Sequence, residues 1–305
     1  MQLNAEQVIQ LDEFYNNSLF MTQGAVITDL DGTAVHESGG RTIIHQSVEI
    51  GLKKIYELGR PIVLNTLRFP LSVIRTFALD WYKISNAPIP VILLNGSQLG
   101  YIEKNDNEFI FQQLAAQTLE GEEMKEILLT VKKFLDGGIN ELLFFYYPED
   151  WTKGEIIWTP LPEKIPFLQK KYKSASSVIS TSFDQLCDLM MKQKVCMVFL
   201  LNEAPADKLM SYQHTQRNNF FTHKDVDKLT GCGQMASLLK FEPVHSIGAG
   251  DSQMDVFLNG VGLSVHVGNI GLPFKGLRQT IRLGSFFEFG DLLYRVADRQ
   301  KAEIN

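Results

Sequence analysis

Apolar and polar positions follow one another along the chain in two rhythms. Short runs of aliphatic and β-branched residues, closed by polar residues or glycine, predict buried strands over 25–27, 61–64 and 90–94. Between them, apolar residues recur at helical spacing. Val8, Ile9, Leu11, Phe14, Tyr15 and Leu19 predict an amphipathic helix over 3–20. Val48, Leu52, Ile55 and Tyr56 share one face of a helix over 46–58, which Gly59 is placed to end. A further helix is expected over 71–79. Residues 36–41 read as a polar loop, with His36 and His45 as solvated loop or helix-start residues rather than ligands. Strands that alternate with helices predict a parallel sheet built from βαβ units.

From about residue 106 the rhythm changes. Strand-like stretches at 109–111, 141–147, 155–158 and 194–201 are separated by helical patterns over 119–135 and 182–191, with aromatics and prolines between them. This predicts an α+β domain over 107–218, inserted between core segments 1–106 and 219–305. The last segment returns to the first rhythm: a helix over 233–239, a strand over 243–247, a helix beginning at 256, a strand over 262–267 and a charged helical tail over 295–305. The expected fold class is α/β, a parallel-sheet core with a smaller α+β insertion.

Composition narrows the function classes. The 305 residues are 45% hydrophobic, enough for a core without disulfide or metal staples. The net charge of −6 gives no bulk attraction to nucleic acid, so a phosphate ligand would need local positive charge. Cys187, Cys196 and Cys232 have no metal-ligand spacing and are expected as buried thiols in a reducing compartment. No basic segment followed by a long apolar run opens the chain, and no run approaches the ~18 apolar residues of a membrane span. The expectation is a soluble cytoplasmic protein with no membrane partner.

The candidate chemistry lies at the strand ends, where ligands collect in open α/β sheets. The first strand runs into Asp29-Leu30-Asp31-Gly32-Thr33. Neighbouring acids repel and are costly to desolvate, an objection that a divalent cation removes, and hard cations prefer oxygen ligands. Asp29 and Asp31 are therefore read as holding magnesium, with Asp29 also attacking phosphorus. The second strand ends at Thr66-Leu67-Arg68, the third at Asn95-Gly96-Ser97, and a late strand leads into Gly250-Asp251 and then Asp255. Parallel strands bring such ends side by side, so these acids and Thr66 are expected in one crevice.

These motifs, in this order, resemble the haloacid dehalogenase (HAD) superfamily. The insertion resembles, in position and size, the C2-type cap of its sugar-phosphatase-like branch, which includes Cof-type, sucrose-phosphate and trehalose-phosphate phosphatases. The resemblance implies a Rossmann-like core and a magnesium-dependent phosphatase acting on a small phosphorylated metabolite, a sugar phosphate. Asp29 would be the nucleophile that forms an aspartyl-phosphate, and Asp31 the acid and then the base. Thr66 and Arg68 would bind the substrate. Asp29, the carbonyl of Asp31, Asp251 and Asp255 would form the metal set, with Asp255 orienting the cationic group or a metal-bound water.

The chain also departs from the family pattern. Leu67 stands where glycine is usual, Met254 where asparagine is common, and Cys232 in the register of the third-motif lysine. Lys228, four residues earlier, would serve if 229–232 formed a loop insertion; otherwise it reads as a surface lysine. These departures motivate a rival, a phosphometabolite-binding or sensing protein with weakened catalysis. A phosphomutase is a third reading, sharing the aspartyl-phosphate.

Overall fold

The computed structural model describes residues 2–39, 41–202 and 220–304. It divides into two compact units, one of Met1–Arg68, Val73–Ala115 and Val226–Asn305, the other of Phe69–Ser72 and Ala116–Asp225.

The first unit is built on one eight-stranded sheet. Its strands are β1 (Val26–Thr28), β2 (Ile62–Asn65), β3 (Ile89–Leu93), β4 (Gln98–Asn105), β5 (Glu108–Ala116), β6 (Ile247–Gly250), β7 (Leu263–Val267) and β8 (Gln279–Leu283). The spatial order is β8-β7-β6-β1-β2-β3-β4-β5, parallel from β8 to β3, with β4 antiparallel to β3. Val26 lies between Ile247 and Ile62, and Thr28 between Ala249 and Leu64. All three residues of β1 are buried, as the short unbroken apolar run requires of a strand covered on both faces. The chain leaves β1 toward β2 on one side and returns later to β6 on the other. The strand order thus reverses at β1, and a crevice opens beyond its carboxyl end.

The structure corrects several expectations from the sequence. Residues expected as a loop over 36–41 form part of a hairpin, Val35–Ser38 with Arg41–Ile44. Within it His36 stacks on Phe286 at 4.2 Å, while His45 caps the helix Gln46–Glu57 by accepting from the Ser47 amide. The helix expected over 71–79 is two helices, Pro70–Thr76 and Ala78–Ser85. The strand expected over 243–247 starts only at Ile247, after a short 3-10 turn. The stretch 109–111, assigned to the insertion, lies in β5 at the edge of the large sheet, because β4 and β5 join across a turn at Asp106, which adopts the left-handed conformation asparagine and aspartate tolerate. β8 and most of the helix Phe286–Ile304 lie outside the elements that the sequence pattern predicts.

The second unit carries a five-stranded sheet in the order Ser177–Ile179, Ile156–Trp158, Leu142–Pro148, Val195–Asn202, Phe220–Phe221. The last strand falls in the segment that the sequence assigned to the core. The amphipathic helices Gly121–Asp136 and Phe183–Lys192 bury Met124, Val131, Leu186 and Met190 with Phe144, Tyr146 and Trp158 in one core cluster. Among the described residues no helix is long and apolar enough to cross a membrane.

Candidate active site

β1 delivers Asp29 into the crevice. Its amide donates to the Ala249 carbonyl of β6 at 2.9 Å, which extends the β1–β6 ladder by one residue and fixes the start of the acidic loop. The chain then turns tightly, with the amides of Thr33, Ala34 and Val35 all directed at the Leu30 carbonyl. Gly32 sits at φ +83°, and a Cβ there would strike the Asp251 carboxylate. Glycine is needed on both counts: the left-handed backbone and the close approach of a second acid.

β6 delivers Asp251. Asp255 follows one short loop later, fully buried. One of its oxygens accepts from the amides of Asp251 and Ser252 at 3.0 and 2.9 Å and from the Ser252 hydroxyl at 3.1 Å. The other accepts from Lys228 Nζ at 2.6 Å. Both Asp255 oxygens are thus engaged by protein donors, which suits an orienting role better than a ligand role.

Lys228 is neither on a loop nor solvated. It is the first residue of the helix Lys228–Leu239, which Asp227 caps through the Thr230 amide, and it is 1% exposed. Its ammonium bridges Asp29 Oδ1 and Asp255 Oδ1, at 2.6 Å each. The loop insertion needed on the sequence reading is absent, because residues 229–232 form the first turn of that helix. Cys232 packs in the apolar core, where burial pushes its thiol up to about 12, so it adds no charge. The two flanking carboxylates hold the Lys228 ammonium above the usual lysine range against the opposing effect of burial, so it stays charged throughout the neutral range.

Three features set the height of this helix start: the strand end Asn95-Gly96, which the sequence singles out, and Asn65 and Gly231, which sequence reasoning misses. Asn65, the last residue of β2, donates its side-chain amide to the Lys228 carbonyl at 2.9 Å. Leu94, Asn95 and Gly96 all have positive φ, and Gly96, at +101°, lies against the Asp227 backbone so closely that a Cβ would collide with it. Gly231 in turn packs on Gly96 and Ile92. Gly96→Ala is expected to cost about 2 kcal/mol or more, read from the urea unfolding midpoint, since both the backbone conformation and the contact resist a methyl group.

Thr66 is buried at the carboxyl end of β2, and its hydroxyl accepts from the Arg68 amide at 3.2 Å. Leu67 does not have the positive φ that would demand glycine, so this departure from the family pattern costs no backbone strain. Arg68 grips Asp31 with a two-pronged pair, Nε to Oδ2 at 2.7 Å and Nη2 to Oδ1 at 2.8 Å. Asp31 is half-exposed, and its pairing with Arg68 sets it apart from the buried acids. Met254 offers only its amide to the loop, donating to the Ser252 hydroxyl.

The charge balance of the cluster points to a cation. Asp29, Asp251 and Asp255 bring oxygens within 4.8 Å of one another. Lys228 neutralises one of these three charges. Burial, with Asp255 and Asp251 nearby, pushes the Asp29 carboxyl up despite Lys228. Burial and Asp255 push Asp251 up to about 6. Two uncompensated charges on oxygen ligands fit a hard divalent cation, and among the described residues of the cluster Asp29 and Asp251 each keep an oxygen that no strong protein donor engages: Lys228 takes only Asp29 Oδ1, and Thr33 reaches Asp251 only at 3.4 Å.

The match to known proteins follows from this arrangement. A model of the haloacid dehalogenase-like hydrolase family matches residues 26–271, from the first residue of β1 to beyond β7. The chain belongs to that family. No curated protein matches the sequence. Among solved structures, this HAD-like hydrolase is similar to a putative HAD/COF-like hydrolase from Plasmodium vivax, at 15% identity and TM-score 0.65, covering 97% of this chain and 100% of that one. It is also similar to the HAD subclass IIB sugar phosphatase BT4131, at 14% identity and TM-score 0.61, covering 92% and 98%. The phosphatase BT1666 from Bacteroides thetaiotaomicron gives 13% identity and TM-score 0.61 over 92% and 96%. At these identities the likeness establishes a Rossmann-like core with an inserted cap.

Proposed function

We propose that this protein is a magnesium-dependent phosphatase of small phosphorylated metabolites, with sugar phosphates as the first substrate class to test. The observation that carries the reading is the buried Lys228 ammonium seated between Asp29 and Asp255, at 2.6 Å from each. It supplies the local positive charge that a phosphate dianion needs beside a carboxylate nucleophile.

Asp29 attacks phosphorus and forms an aspartyl-phosphate, dividing hydrolysis into two displacements. Lys228 keeps the Asp29 carboxylate in place and offers charge to the phosphoryl oxygens. Asp31 gives a proton to the leaving alcohol and later takes one from the attacking water. Arg68 holds Asp31 until substrate arrives, and the Thr66 hydroxyl is placed to donate to a phosphoryl oxygen. Asp255 fixes the ammonium and the loop that carries Asp251. Magnesium, held by Asp29, Asp251 and the Asp31 carbonyl, would screen the repulsion between carboxylate and phosphate. BT4131 is a sugar phosphatase, which motivates the order of the panel.

A phosphate-ester panel with magnesium, with and without chelator, tests the reading. Metal-dependent phosphate release from at least one sugar phosphate is expected. Calorimetric binding of esters with no release from any member would favour the sensing protein instead, and transfer back to sugar with little free phosphate would favour a mutase.

The cation also predicts a pH signature. Asp251 titrates near 6 in the folded protein, above the carboxylate range of the unfolded chain. Without metal, that group therefore makes the fold lose stability as pH rises from about 4 to about 6, where the folded state holds the extra proton. With metal the sign reverses, because binding needs the carboxylate. Magnesium is expected to raise the thermal unfolding midpoint at about pH 7.5 and to have little effect at about pH 5, which differential scanning fluorimetry at the two pH values measures.

A further inference from the structure

The large sheet ends at β5, and among the described residues no strand pairs with its outer side. An edge strand presents unpaired N–H and C=O groups, and proteins ordinarily shorten, cover or charge it. The other edges of the two larger sheets follow that rule. In the smaller sheet the edge strands are three and two residues long, Ser177–Ile179 and Phe220–Phe221. β8 carries Arg282, and Gln7 of the helix Ala5–Asn16 donates to the Arg282 carbonyl at 2.7 Å. β5 has none of these protections. It runs for nine residues, and between Glu108 and Glu120 the sequence contains no charge and no proline.

The backbone fixes which groups face outward. The Gln112 carbonyl lies so close to Gly100 of β4 that a Cβ at Gly100 would strike it. In an antiparallel ladder, successive residues direct their backbone groups alternately to one side of the strand and the other. With Gln112 directed at β4, the N–H and C=O groups of Phe109, Phe111, Gln113 and Ala115 point to the open side. The strand itself is anchored. Phe109 packs on Tyr82 of the helix Ala78–Ser85, ring centroids 5.6 Å apart, and Phe111 is buried, whereas Gln112 and Leu114 are exposed on the other face.

The segment that fits this edge is its own copy. Antiparallel pairing about a two-fold axis at Gln112 sets Phe109 against Ala115, Phe111 against Gln113 and Ile110 against Leu114. The first two pairs exchange the outward backbone groups. The third joins the aliphatic side chains of the exposed face, and Gln112 meets its counterpart, amide to amide. No like charges meet. Moving the axis by one residue breaks the aliphatic pair, because Gln112 then faces Ile110 or Leu114. We propose that the chain forms a two-fold dimer by antiparallel pairing of β5 with β5 of a second copy, centred on Gln112. This interface does not rest on the phosphatase reading.

Sedimentation velocity and disulfide trapping on the full chain test it. At about 50 μM the chain is expected to sediment as a dimer, with a Kd below about 10 μM. Gln112→Lys sets two ammonium groups opposite each other at an exposed position, and should weaken the dimer at least about tenfold with the circular dichroism spectrum unchanged. Under mild oxidation Gln112→Cys should give covalent dimer above the level of the native chain, because directly opposed Cβ atoms stand about 4.5–5.5 Å apart. Ile110→Cys and Leu114→Cys should each crosslink weakly alone and strongly when mixed, since only the mixture sets thiols opposite one another. A monomer at about 100 μM, assembly that continues past the dimer, a dimer that Gln112→Lys leaves intact, or trapping without this residue preference would each overturn the proposal.

Discussion

Asp29→Asn is expected to lower phosphate release by about 10⁴-fold, equivalent to about 5 kcal/mol of transition-state stabilisation, without unfolding the protein. An amide keeps the shape of the carboxylate but cannot attack phosphorus. The stability side of the prediction follows from the charge balance. Asp29 lies in a buried cluster with one ammonium for three carboxylates, and Lys228 retains Asp255 when Asp29 is neutralised. The metal-free variant should therefore unfold at a midpoint no lower than that of the parent. It should also lose the magnesium-dependent rise in that midpoint, because one of the two acids with free oxygens is gone. A stopped phosphate assay and thermal unfolding with and without magnesium read both. Phosphate release surviving near the parent rate would remove Asp29 from the mechanism.

Lys228→Met is expected to damage both stability and turnover. Removing one partner of a buried ion pair leaves the other charge unpaired, at a cost of about 3–5 kcal/mol. Here two carboxylates are stranded, Asp29 and Asp255, and each accepts from the ammonium at 2.6 Å. The sign of the pH dependence follows. Burial already pushes the Asp29 carboxyl up and Lys228 opposes that, so without the ammonium the deficit grows as pH rises through the carboxylate range and shrinks toward acid. Urea unfolding at about pH 5 and about pH 8 should show the smaller loss at the lower pH. Turnover should fall about 10²- to 10³-fold, the scale for losing one group that stabilises transition-state charge. In the double variant with Asp29→Asn, part of the lost stability should return, since one stranded charge is removed with its partner. Additive losses would show that the pair is not coupled.

The parts of the site that were legible in the sequence were those where side-chain identity and chemistry coincide. Asp29, Asp31 and Asp251 follow apolar strands, and acids at strand ends have few structural uses. The parts that were not legible depend on the backbone. Lys228 looked four residues out of register because the family pattern counts along the chain, whereas the side chain reaches the cluster from the first turn of a helix. What sets that reach is Asn65 under the helix start and the left-handed turn at 94–96, neither of which announces a catalytic role. β6 was misplaced for a related reason. Its sequence, Ile-Gly-Ala-Gly, has almost no strand propensity, yet Gly248 is required where Val261 and Phe257 press on the strand. Only the charged end of the helix Phe286–Ile304 is legible as a helix, because Phe286 and Phe287 pack on His36 and His45, far away in the sequence.

The expectation that survives with most consequence is convergence. Acids separated by more than two hundred positions in the sequence stand within one ion's reach of each other, and Thr33 of the first loop touches Asp251 of the last. The two halves of the crevice are joined through β1 and β6, which pair directly from Val26–Ile247 to Thr28–Ala249.

The most direct measurement is peptide mapping by mass spectrometry after acid quench of the enzyme turning over a sugar phosphate in magnesium. The account predicts one phosphoryl group on the Asp29 side chain, lost on incubation at neutral pH and absent from Asp29→Asn. Steady turnover with no phosphorylated Asp29, or with the group on another residue, would contradict it.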